Sequence, residues 1–231
     1  MRKIFAFAVM GALLMAGHAA KADTFVWKDQ KGGYTMSFPD VWRIQTDDAG
    51  YTRIRIAGPL AEDRATCRLQ VRPDGRVQIY PKRLLGEAVM EKLDHEYWEN
   101  TVADFHDAKI NNYYGPASLG SKGDATAVQF SYNDGKGDEK VHMQGIAISS
   151  IYGTNRYTFT CSSTAPTWER YNDLFLSIGD SVELDSRYHV FPTGYYRNFL
   201  MDPKLVLPRS KPGTDNPYVP LTWADRYTYN Q

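Results

Sequence analysis

Apolar positions along the chain recur first every second residue, then every fourth, then every second again. Residues 34–38 alternate and stop at Pro39-Asp40, which predicts a strand and a break; residues 41–45, with Trp42, predict the returning strand. Residues 51–57 put Tyr51, Arg53 and Arg55 on one side and Thr52, Ile54 and Ile56 on the other, as in a strand with one buried face. Residues 66–71 predict another strand, with Cys67, Leu69 and Val71 facing one way, before a turn at Pro73-Asp74-Gly75. From Arg83 to about Val102 the spacing becomes four. Leu85, Val89, Leu93 and Tyr97, with Ala88 and Trp98 beside them, predict one long amphipathic helix. Strands return at 108–113, 125–132 and 140–151, the last two joined by a hairpin tip at 133–138. Residues 155–162 form the next strand, with Tyr157, Phe159 and Cys161 on one face. Thr164 and Pro166 open a helix carrying Trp168, Tyr171, Phe175 and Ile178, and residues 180–184 close as a short strand.

Runs of strands with few helices, rather than strict strand–helix alternation, predict an α+β domain over 23–185: an antiparallel β-sheet flanked by helices. Trp42 and Trp168 are expected in its core. Residues 1–22 carry a different pattern. Arg2 and Lys3 precede an apolar run over 4–17, and Ala20-Lys21-Ala22 supplies small residues at the end. That order predicts a cleavable signal peptide, cut before Asp23, and the run is too short to span a bilayer. The simple form of the signal points to the bacterial periplasm. After cleavage the expected product is secreted and is not an integral membrane protein.

Export changes what the cysteines mean. Cys67 and Cys161 are the two in the chain, with no CxxC spacing, and in an oxidising compartment they predict a disulfide. Both sit on strand faces among apolar neighbours. Composition adds exclusions. A chain that is 42% hydrophobic and 23% charged has material for a core, so wholesale disorder is excluded. Its 27 basic residues balance 27 acidic ones, and losing the three cations of 1–22 leaves a net charge of −3. Without a basic excess or a block of like charge, nucleic acid is excluded as a partner.

Candidate chemistry is sparse. Glu91, His95 and Glu99 are four apart and could share a helical stripe, but three surface residues on one helix are an incomplete metal set, and a solvated face is the expectation. The hairpin tip at 133–138 lacks the acidic order and closing Glu of a calcium loop. His106, His142 and His189 each stand alone, and the acid pairs Asp47-Asp48 and Glu62-Asp63 fall between strands. No nucleophile elbow, HExxH, P-loop or GxGxxG occurs. No catalytic, cofactor-binding or metal-binding set is therefore assigned, and no cofactor is expected.

Residues 186–231 break both periodicities. They hold Pro192, Pro203, Pro208, Pro212, Pro217 and Pro220, six of the twelve prolines, and predict an extended tail. The tail is also aromatic. Tyr195, Tyr196, Phe199, Tyr218, Trp223 and Tyr227 are its candidate partner-binding residues, because uncovered aromatic anchors suit docking; the other expectation is that the tail covers its own domain.

Two stretches carry a family resemblance. The opening Tyr34-Thr-Met-Ser-Phe-Pro-Asp-Val-Trp42 is one. The other is Tyr157-Thr-Phe-Thr-Cys-Ser-Ser163, the helix from Trp168 to Ile178, and Asp180-Ser-Val182. In these the chain resembles the Mog1/PsbP-like superfamily, over about residues 24–185. The resemblance implies the fold and, since most members are non-enzymatic, an interaction or accessory module that docks to another envelope protein and stabilises a complex. The other function that the sequence leaves open is a hydrolase or a protein binding a sugar or apolar small ligand in a pocket between sheet and helix.

Overall fold

The computed structural model describes residues 23–45, 50–135 and 140–186, together with the backbone of two further strands, Val206–Ser210 and Tyr218–Thr222, which pair antiparallel. Seven strands build one antiparallel sheet: β3 (Arg43–Gln45), β4 (Thr52–Ala57), β5 (Thr66–Pro73), β6 (Lys109–Leu119), β7 (Gly123–Asp134), β8 (Val141–Tyr152) and β9 (Asn155–Thr164). Across the sheet their order is β3-β4-β5-β9-β8-β7-β6. β1 (Thr24–Asp29), β2 (Tyr34–Pro39) and β10 (Glu183–Leu184) form a second, smaller sheet with β2 in the middle. The helices are α1 (Leu85–Lys92), α2 (His95–Val102) and α3 (Trp168–Asp180).

Alternation along the strands divides the large sheet into two faces with different covers. The inner face gives Ile54, Ile56, Leu69, Ile146, Ile148, Tyr157 and Phe159 to the main core, against Tyr34, Met36 and Phe38 of β2 and Trp168, Tyr171, Phe175 and Ile178 of α3. Trp42 is buried there, edge-on to Tyr171 and Phe175 with ring centroids 6.2 Å apart. Cys67 and Cys161 sit directly opposite each other on β5 and β9 and are bonded, with their Cα atoms 4.1 Å apart. The outer face is covered by α1 and α2. Val89 and Leu93 pack with Val77 and Ile151, and Trp98 and Val102 with Val128, Phe130 and Ala147.

The structure departs from the pattern in four places. The predicted helix over 83–102 is two helices. Leu93 leaves helical geometry, and Asp94 caps α2 by accepting a hydrogen bond from the Tyr97 backbone N–H at 2.9 Å. A continuous apolar stripe does not reveal such a break. Of residues 41–45 only Arg43–Gln45 is a strand, and it joins the large sheet rather than returning beside β2. β1 escaped the pattern because it is a mostly exposed edge strand with no buried alternation. Arg53 parts from Arg55 because the β4–β5 register shifts between Thr52 and Ile54; its guanidinium bonds Asp29 of β1 at 2.7 and 3.0 Å.

Two stability predictions follow from these contacts. Replacing both Cys67 and Cys161 by Ala releases a cross-link spanning 94 residues, and equilibrium urea unfolding should show a loss of about 2–4 kcal/mol. Thr126→Val keeps the side-chain volume but leaves the buried Trp98 indole N–H and the Leu93 carbonyl without the Thr126 hydroxyl that each now bonds. That should cost about 2–4 kcal/mol by the same measurement, and wild-type stability would show that the bridge holds nothing.

Candidate functional site

The same alternation that buries Cys67 and Leu69 turns Arg68, Gln70 and Arg72 of β5 outward. On β9 it turns out Arg156, Thr158 and Thr160. Pairing brings these together: Arg55 of β4 lies opposite Arg68, Arg68 opposite Thr160, Gln70 opposite Thr158, and Arg72 opposite Arg156. The helices α1 and α2 stand over β6, β7 and β8 and stop short of this half of the sheet. A groove of about 580 Å³ is left between them, with Thr158 and Thr160 in its floor and Tyr97 and Phe105 in its wall. Beyond Phe105 a second depression of about 590 Å³ continues past Arg55, Arg43 and Tyr132.

The arginines are held in place by aromatic faces. The Arg68 guanidinium lies over Phe105 at 5.2 Å, that of Arg72 over Tyr51 at 4.9 Å and that of Arg156 over Tyr97 at 5.2 Å. Tyr97 is itself anchored, its hydroxyl 3.1 Å from Ser149 Oγ and 3.5 Å from Thr158 Oγ1. At one end, the buried Asp74 carboxylate is gripped by Arg76 through Nε–Oδ1 at 3.0 Å and Nη2–Oδ2 at 2.8 Å, with Arg156 Nη1 at 3.5 Å. Arg76 also donates to the Lys92 carbonyl at 3.2 Å, tying the end of α1 to the groove. Burial alone would raise the Asp74 pKa. The hydrogen bonds from the Arg76 side chain and backbone N–H, with the nearby positive charges of Arg76 and Arg156, outweigh it and hold the carboxyl below its ordinary range.

The other residues singled out from the sequence lie elsewhere. Cys67 and Cys161 face the inner core, away from the groove. Glu91 and His95 fall on different helices because of the break at Leu93. Glu91 bonds Lys92 at 2.7 Å, and His95 Nδ1 lies 3.3 Å from Glu99. Among the described residues no three His, Cys, Asp or Glu side chains come together as a metal set. His106 lies beside Asp107 and His142 beside Asn133, both on the surface. Asp63 is not a loop acid as its sequence context suggests. It is buried, bonded by Arg170 at 2.9 Å and by the Tyr171 hydroxyl at 2.7 Å, and burial plus that bond push the Tyr171 pKa up to about 12. Tyr195, Tyr196, Phe199, Trp223 and Tyr227 lie outside the described residues, as do residues 1–22, Asp47-Asp48, His189 and positions 136–138 of the hairpin tip. Tyr218 falls in the strand Tyr218–Thr222, whose backbone alone is described.

The Asp74 cluster predicts a pH dependence. Because the folded carboxyl titrates below its unfolded value of about 3.9, its stabilisation is complete above that pH and is lost as pH falls through the folded value. Asp74→Asn should therefore destabilise the protein by about 1–3 kcal/mol at neutral pH. In urea titrations the gap from wild type should close at acid pH; a gap unchanged between pH 7 and pH 2.5 would contradict the charge-based account.

No family model matches the chain, and no curated protein matches it. Solved structures do resemble it. The cyanobacterial PsbP (CyanoP) of Synechocystis sp. PCC 6803 is 15% identical, with a TM-score of 0.44 over 75% of this chain and 99% of its own. The Ran-binding protein Mog1p of Saccharomyces cerevisiae is 6% identical, with a TM-score of 0.46 over 73% of this chain and 100% of its own. LpqN of Mycobacterium tuberculosis, involved in cell envelope biogenesis there, is 13% identical, with a TM-score of 0.36 over 71% of this chain and 86% of its own. At this distance the likeness is one of fold alone.

Proposed function

We propose that this chain is an exported accessory module that docks to another protein of the cell envelope through the open outer half of its large sheet. The observation that carries the reading is the groove itself. A sheet covered on one face by α3 and the small sheet, and on only part of the other by α1 and α2, leaves polar side chains of β4, β5 and β9 available to a second molecule. Those side chains are guanidiniums and threonine hydroxyls immobilised by rings and neighbouring strands, which suits binding. Asp74, the most buried carboxylate at the groove, is bonded to two guanidiniums, an arrangement that holds a surface still rather than one that moves a proton. Residues 1–22 direct the chain to the periplasm in this reading, and 186–231 contribute Tyr195, Tyr196, Phe199, Tyr218, Trp223 and Tyr227 to the contact. Among the described residues no helix is long and apolar enough to cross a membrane.

A photo-cross-linking side chain placed at Gln70, in the groove, and at Glu169, on α3, tests the reading in the native envelope. The expected result is a discrete protein adduct from position 70 and none from 169, on a chain whose intact mass begins at Asp23. Equal labelling from both positions, or a mass retaining residues 1–22, would overturn the docking face or the export step respectively.

A further inference from the structure

We propose that the large sheet carries a second binding face, across the sheet from the groove, which takes an uncharged glycan chain. The face comprises Asn111, Asn112 and Tyr114 of β6, Gln129 and Ser131 of β7, and Gln144 of β8. Pairing sets Asn112 opposite Gln129 and Tyr114 opposite Ala127, then Gln129 opposite Ile146 and Ser131 opposite Gln144. Ala127 and Ile146 belong to the main core, so these positions share its side of the sheet. Here the cover of that side runs out. Asn111, Asn112 and Tyr114 are exposed, and Gln129, Ser131 and Gln144 are partly so.

The carboxamides order one another. Asn112 Nδ2 donates to Gln129 Oε1 at 2.9 Å, and the Tyr114 hydroxyl lies 3.4 Å from the same oxygen. The Ser131 hydroxyl donates to Asn111 Oδ1 at 3.3 Å, which brings Asn111, in the bulge of β6, onto the same face. Gln129 is engaged through its oxygen in both contacts and Asn112 through its nitrogen, so one still offers N–H groups and the other a carbonyl oxygen. Carboxamides taken out of water must regain hydrogen bonds of both kinds. Sugar hydroxyls both donate and accept, and a glycan presents them at every ring. Tyr114, 45% exposed, adds a rigid aromatic surface for the apolar C–H face of a sugar.

Other occupants fit less well. Across these rows Lys109, opposite Ser131, is the one charged side chain, so the face has little to offer an anion or a basic segment. β6 is an edge strand, but its register against β7 shifts twice and it carries Pro116, which blunts it against an added strand. The buried centre of a protein–protein contact is rich in aromatic residues, Met and Arg, whereas here Tyr114 is the one aromatic. Shape selects a chain over a single sugar. Side chains on one face repeat about every 6.8 Å along a strand, on strands about 4.8 Å apart, and this open array meets successive units rather than enclosing one. Lying across the sheet from Gln70, the face does not depend on the docking reading.

The test is isothermal titration calorimetry on the intact protein with cellohexaose, with hexa-N-acetylchitohexaose, with the galacturonic acid hexamer and with N-acetylglucosamine alone. At least one of the two neutral hexamers should bind, at least tenfold more tightly than the acidic hexamer or the single sugar. Its affinity should hold as salt rises, because no charge is being screened. The stronger of the two tells whether the carboxamides read hydroxyl or acetamido groups. Tyr114→Ala, which removes the ring, and Asn112→Asp, which puts a charge on the face, should each weaken binding at least tenfold with thermal melting unchanged. No binding of either neutral hexamer at millimolar concentration, affinity that falls with salt, preference for the acidic hexamer, or indifference to both variants would each overturn the proposal. Self-association that Tyr114→Ala abolishes, without glycan binding, would give the face to a second copy of the chain instead. Cross-linking from position 70 should be the same in both variants, so the docking reading and this one fail separately.

Discussion

Between the two outer helices one buried hydroxyl serves two partners: Thr126 donates to the Leu93 carbonyl at 2.6 Å and accepts from the Trp98 indole at 2.9 Å. Leu93 is where α1 ends, and Trp98 is the fully buried anchor of α2. Because Thr126 belongs to β7, this contact fixes the corner between the helices over the β6–β8 half of the sheet. An unbroken helix could have run further along its axis. The break at Leu93 instead leaves both helices packed over that half, and β5 and β9 keep their outward side chains in the groove. The groove is thus a consequence of packing elsewhere, and its position is set by a fully buried hydroxyl that donates to one helix and accepts from the other.

A second constraint operates at the groove's end. Arg76 holds Asp74 and the Lys92 carbonyl at the end of α1 together, and Asp74 in turn lies against Arg156 of the sheet. Strand β9, the turn after β5 and the first outer helix are therefore coupled by one carboxylate. The aromatic rings under Arg68, Arg72 and Arg156 restrict guanidiniums that would otherwise lose much side-chain entropy on binding, so part of the ordering is complete before any ligand arrives.

Much of this architecture was legible in the chain. The alternation at Ile54 and Ile56, at Cys67 and Leu69, and at Tyr157, Phe159 and Cys161 identifies inward faces because period two has one geometric meaning on a strand. The helix stripe of Trp168, Tyr171, Phe175 and Ile178 was equally plain. The groove was not, because its residues are the polar members of those alternations, and polar positions on a strand read as solvent. Arg55, Arg68, Arg72 and Arg156 become a set only through the pairing of β4, β5 and β9, and β9 reaches β5 across 94 residues of chain. The break at Leu93 was hidden for a related reason: the partner of its carbonyl is 33 residues away. Asp63 shows the converse, a residue that its neighbours mark as loop and that Arg170 and Tyr171 make part of the interior.

The long separation between the two halves of the β5–β9 pair bears on how the molecule is made. A chain synthesised from its N-terminus presents Cys67 well before Cys161, and the partner strand of β5 follows only after β6, β7 and β8. With two cysteines in the whole sequence, the waiting thiol has no wrong intramolecular choice. The bond requires an oxidant and no reshuffling, and its closure records that the last strand of the large sheet has been delivered to its neighbour.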